Sequence, residues 1–174
     1  MRNFDEGVFR NAREALVFAL NYRGEQFAKS TLAVMAQEGS IGSGRGLHGL
    51  DGAATAAIVK AKLERLTEPG LAALIASCSL PGTDAWSAAI EEMQRFVCNS
   101  PTFATMHAEL VELCVRKHFG ERKTFSEIAD AVGMDRVTAN RKGLLIKAEL
   151  DRLQAEAWSD FDESLRPALI REDY

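Results

Sequence analysis

An all-α fold is predicted by three features of the sequence. Alanine and leucine are abundant, β-branched residues are sparse, and no stretch alternates apolar with polar residues for the length of a strand. The chain has 174 residues, 47% of them apolar and 26% charged, which is ordinary globular composition and excludes disorder as the main state.

The elements follow in order. Residues 5–21 set Val8, Ala12, Ala15, Leu16 and Ala19 at helical spacing, with Phe9 and Phe18 alongside. A second amphipathic stretch, 25–37, carries Phe27, Leu32, Val34 and Met35. Residues 39–52 (GSIGSGRGLHGLDG) hold six glycines in fourteen positions, a density whose backbone entropy opposes a helix. They are expected to form a flexible linker that trypsin nicks near Arg45. The stretch has no Gly-Lys-Ser/Thr ending and no preceding strand, so a phosphate loop is not indicated.

Asp51 is expected to cap a helix running to Leu66, which Glu68-Pro69-Gly70 breaks. A short apolar segment, LAALIASCSL, ends at Pro81-Gly82, and Asp84 starts a helix through Val97 with Trp86, Ala89, Ile90, Met93 and Phe96 on one side. Ser100-Pro101 signals another start, and that helix is expected to reach Phe119, with Gly120 as the left-handed residue beyond it. The organisation expected is a helical N-terminal segment 1–38, the linker 39–52, a central helical region 53–100, a terminal helical domain 101–158 and an acidic tail 159–174.

The sharpest local pattern is TFSEIADAVGMDRVTANRKGLLIKAELDRL, residues 124–153. Thr124 and Glu127 have capping-box spacing, and Ile128, Ala129 and Val132 follow in a helix of two turns. Gly133 supplies a positive φ, Met134 plugs the space beneath the turn, and Asp135 caps a second helix running through Leu150, with Ala157 as its outer limit. A short capped helix, a tight turn and a second capped helix make a helix-turn-helix.

Such a motif offers the first turns of its second helix to the DNA major groove. Arg136, Val137, Asn140 and Arg141, with Lys142 beside them, occupy those turns. Arginine chelates guanine O6/N7 and asparagine chelates adenine N6/N7, so these residue types suit base reading. Lys123 and Lys147 are expected to meet phosphates. Two ordinary helices with a solvated basic face are the plainer alternative.

The charge distribution allows a small, directed contact. The net charge is −4, yet residues 116–152 hold 9 basic and 6 acidic side chains between acidic flanks. The three cysteines are widely spaced, so neither a disulfide frame nor a zinc knuckle is signalled; Cys114 and His118 stand four apart but lack a second ligand pair. Histidines 48, 107 and 118 are scattered and no nucleophile elbow exists, so no catalytic residue, metal or cofactor is expected. No apolar run approaches a bilayer span and the first residues carry acids, so a cytoplasmic protein without membrane contact is expected.

Residues 125–153 resemble the region-4 helix-turn-helix of bacterial sigma factors, and MHAELVELCVRKHFGERKT, 106–124, is similar to the helix and loop that precede it there. The order of Gly-rich linker, LDGAATAAIVKAKLERL and terminal helix-turn-helix also resembles phage Q-type late-gene antiterminators. That resemblance implies a regulator of transcription that binds double-stranded DNA near a promoter and contacts RNA polymerase or its sigma factor. At Ala139 and Gly143 the family pattern has larger aliphatic residues, so the helices pack either more loosely or unusually closely. The alternative from another class is a sigma-like protein-interaction module that does not contact DNA, which an acidic surface suits.

Overall fold

The computed structural model describes residues 8–22 and 49–170. The fold is all-α, and the described residues form seven helices: α1 (Ala12–Asn21), α2 (Gly49–Leu63), α3 (Glu68–Cys78), α4 (Asp84–Asn99), α5 (Ala108–His118), α6 (Phe125–Ala131) and α7 (Arg136–Leu169). An isolated parallel bridge joins Phe9 to Ile170, and no strand occurs among the described residues. Among them, no helix is long and apolar enough to cross a membrane. The helix expected over 25–37, and the linker as far as residue 48 with its Arg45, lie outside the described residues.

Local chemistry explains where the helices start and where expectation needs correction. Asn11 caps α1 by accepting from the Glu14 N–H at 2.9 Å, so residues 8–11, expected to be helical, lie before the helix, which starts at Ala12. Residues 49–52, expected to belong to the linker, are helical; Asp51 therefore sits inside the first turn of α2 and its carbonyl accepts from the Thr55 hydroxyl at 2.8 Å. Glu68-Pro69-Gly70, expected only as a breaker, opens α3. Thr67 accepts from the Gly70 N–H at 3.3 Å, and Pro69 falls in the first turn, where its missing N–H costs nothing. α4 starts at Asp84 as expected, and Thr83 before it is the cap.

The largest local correction concerns Ser100-Pro101. Ser100 closes α4 through its N–H to the Val97 carbonyl at 3.1 Å, and its own carbonyl accepts from Phe103 N–H at 3.0 Å. A turn at this point buries the Phe103 side chain, and the next helix starts only at Ala108.

The chain divides into two compact units: the residues up to Arg65 together with those from Asp160, and residues 66–159. The second unit has a continuous core drawn from α3, α4, α5, α6 and α7, including Trp86, Ile90, Met93, Leu110, Val111, Ile128, Ile146 and Leu150. The boundary expected at 100/101 falls inside this unit, because α4 and α5 share that core. In the first unit α1 packs on α2. Phe9, Leu16, Val59, Phe161 and Leu165 are buried there, and Phe9 N–H donates to the Leu169 carbonyl at 2.8 Å. The segment expected as an acidic tail from 159 is helix to Leu169, with Phe161, Leu165 and Leu169 buried at spacing four.

Candidate nucleic-acid interface

The site is built on α5, α6 and the start of α7, all within residues 66–159. α5 ends through Gly120, whose φ of 106° only glycine adopts readily. The buried Trp86 indole N–H donates to the Phe119 carbonyl at 3.0 Å, and Arg116 lies over the Trp86 ring. The chain then enters α6 through a complete capping box: Thr124 hydroxyl oxygen accepts from Glu127 N–H at 3.2 Å, and the Glu127 carboxylate accepts from Thr124 N–H at 2.7 Å. The Thr124 N–H, then its hydroxyl, hold the Glu127 carboxyl below its ordinary range.

The turn follows the expected chemistry. Gly133 has φ 63°, and Met134 N–H returns to the Ala129 carbonyl at 2.9 Å. Asp135 then caps α7, its two carboxylate oxygens accepting from Val137 and Thr138 N–H groups, each at 2.9 Å. Hydrogen bonds from the Thr138 hydroxyl, then from those two amides, depress the Asp135 pKa.

The inward face of α7 decides the packing question that Ala139 and Gly143 left open. Ala139 is buried, and a Cβ on Gly143 would stand 2.9 Å from Phe125 Cζ, closer still to Cε1, and 3.3 Å from Cys114 Sγ. The helices approach closely, and Phe125 fills the space an aliphatic side chain would take. The Lys117 ammonium covers the same ring at 5.3 Å from its centroid. Burial pushes the Cys114 thiol up to about 11.

The outward face carries Arg136, Val137, Asn140 and Arg141, all exposed, with Val137 at 75%. Lys142 is half-buried. Among the described residues no ion pair engages Arg136, Arg141 or Lys142. Arg136, Val137 and Asn140 line, with Phe125, a shallow recess of about 420 Å³. The structure thus brings three of the proposed base readers together. The two lysines assigned to phosphates are engaged: Lys123 pairs with Glu121 at 3.1 Å and Lys147 with Asp151 at 2.5 Å.

Sequence reasoning missed three features here. Phe125 enters the recess, and only the glycine opposite it hinted at a bulky partner. Arg122 is exposed, unpaired among the described residues, and lines the loop before α6. Leu144 and Leu145 are 52% and 53% exposed on the turn that follows Arg141.

Cys114 and His118 do not converge on a common ligand position. The Cys114 sulfur lies near Gly143, while His118 Nε2 meets Gln154 Oε1 at 3.1 Å. Gln154 also donates to Ser77 Oγ at 2.9 Å, so this polar chain ties α3, α5 and α7 together. No group of three or more His, Cys, Asp and Glu side chains gathers as a metal site among the described residues. Comparison with protein-family models, curated proteins and solved structures finds no match for this chain.

Proposed function

We propose that this protein is a sequence-specific DNA-binding regulator of transcription whose α7 enters the major groove with its first two turns. One observation carries the reading: a capped, glycine-turned helix pair presents Arg136, Asn140 and Arg141 to solvent, and among the described residues no ion pair engages either arginine. Unpaired guanidinium groups keep their donors for guanine, and the exposed amide has the donor–acceptor pair that adenine requires. Among the described residues no ion pair engages Arg122 or Lys142, which suits them to phosphates, whereas Lys123 and Lys147 must first leave Glu121 and Asp151. Action in the cytoplasm, contact with RNA polymerase or its sigma factor, and a phage origin belong to the same proposal, on the strength of the region-4 and antiterminator resemblances.

A second reading, a protein-interaction module of sigma-like form, is favoured by the exposed Leu144 and Leu145. Selection of a site from random duplexes, followed by fluorescence anisotropy at two salt concentrations, separates the two. DNA reading requires a selected site, and Arg136→Ala plus Arg141→Ala must lower its affinity at least tenfold, since each bidentate contact discriminates by about 1–3 kcal/mol. No selectable site, or binding unchanged by that pair, refutes it.

A further inference from the structure

Val137 is the least explained side chain of the interface. It is β-branched, lies in the first turn of α7 and is 75% exposed, so neither packing nor helix propensity accounts for it. Its backbone is fixed, because its N–H donates to Asp135 at 2.9 Å. Phe125 lines the same recess and is itself held in place, wedged against Gly143 on one helix and covered by Lys117 from another. An apolar seat with a fixed wall therefore sits between Arg136 and Asn140, whose polar ends suit the edges of neighbouring bases.

Of the four bases, only thymine presents a methyl group, on its C5, in the major groove. We infer that Val137, backed by the Phe125 ring, receives the C5-methyl group of a pyrimidine beside the purines met by Arg136, Asn140 and Arg141. The protein then reads a methyl group as well as hydrogen-bonding edges, and 5-methylcytosine offers the same group as thymine at that position. This rests on the DNA-reading proposal and adds to it the chemistry of one position in the site.

The test uses the full chain and the selected duplex, with each thymine replaced in turn by deoxyuridine. That exchange removes the methyl while leaving O4 and base pairing intact. One position should lose about fourfold in affinity, the worth of one buried methyl. The loss should vanish in Val137→Ala and persist in Arg136→Ala. At that position 5-methylcytosine should bind more tightly than cytosine in the wild type and equally in Val137→Ala. Val137→Ala leaves the capping amide in place, and circular dichroism checks that its helix content is unchanged. If a site is selected but no thymine shows the loss, or Val137→Ala retains it, the inference is overturned while DNA reading stands. If no site is selected, both fall.

Discussion

Replacing Gly143 by alanine tests the close approach of α5, α6 and α7 through the sign of its effect. In an ordinary helix interior Gly→Ala stabilises by about 1 kcal/mol, because glycine loses more backbone freedom. Here the new Cβ would stand 2.9 Å from Phe125 Cζ and 3.3 Å from Cys114 Sγ, well inside the ~3.5–4.0 Å at which carbon atoms rest. Overpacking of this kind costs about 1–3 kcal/mol, so Gly143→Ala should be net destabilising by roughly 1 kcal/mol. Phe125→Ala will itself destabilise. In that background the Phe125 contacts are gone and only the 3.3 Å approach to Cys114 Sγ remains, so Gly143→Ala should then stabilise by up to about 1 kcal/mol. The coupling between the two sites is therefore about 2 kcal/mol. Urea unfolding followed by tryptophan fluorescence reads this unit, because Trp86 and Trp158 both lie within 66–159. The single variant should lower the midpoint by about 0.3–1 M. A raised midpoint in Gly143→Ala, or equal effects with and without Phe125, would refute the close packing.

Three further outcomes are expected. Burial, opposed by the Gln154 hydrogen bond and by Asp151, holds the His118 pKa below 6.5, so the folded state favours neutral imidazole; the associated stability is complete above pH 6.5 and is lost as pH falls below it, and urea midpoints of His118→Gln should decline less over that range than those of wild type. With its pKa near 11, the Cys114 thiol should resist Ellman's reagent at pH 8 in the native protein, while the half-buried Cys78 and Cys98 react sooner; equal rates for all three would contradict its burial. Under the DNA-reading proposal, Lys147→Ala should change affinity little in wild type but markedly in Asp151→Asn, where the ammonium is released, with the salt slope of the latter steeper by about one; equal losses in the two backgrounds would show that Asp151 does not restrain Lys147.

The capped helices α6 and α7 and the glycine turn between them were legible because their signals are local. Thr124 with Glu127, Gly133, and Asp135 each act within three or four residues, so spacing alone specifies the geometry. The same locality misled at Ser100-Pro101, where a starting signal serves a turn because Phe103 gains more from burial than from helix. The extension of α7 was hidden for another reason. Phe161, Leu165 and Leu169 form a stripe only one residue wide among acids, and its partners lie at the far end of the sequence. At the interface the residue types on α7 were readable. The pairing of Lys147 with Asp151, four residues on along α7, was readable from spacing and was overlooked, whereas the place of Phe125 in the recess depends on helices that spacing does not bring together in advance.

The hydrogen bond from Phe9 to Leu169 also sets a timetable for synthesis. Residues 66–159 form a contiguous unit, so all of its core is available for folding as soon as the ribosome has released it. The first unit cannot close then, because Phe161, Leu165 and the Leu169 carbonyl are made last. At ordinary elongation rates, α1 waits on the order of ten seconds with the apolar side of Phe9 and Leu16 unpartnered by that helix. Over that interval the nascent chain exposes apolar N-terminal side chains while residues 66–159 are already complete, the kind of species on which chaperones act. Shortening the gene from its 3′ end past the codon for Phe161 would make the delay permanent. The predicted result is a product whose 66–159 unit still folds while the protein as a whole accumulates in inclusion bodies.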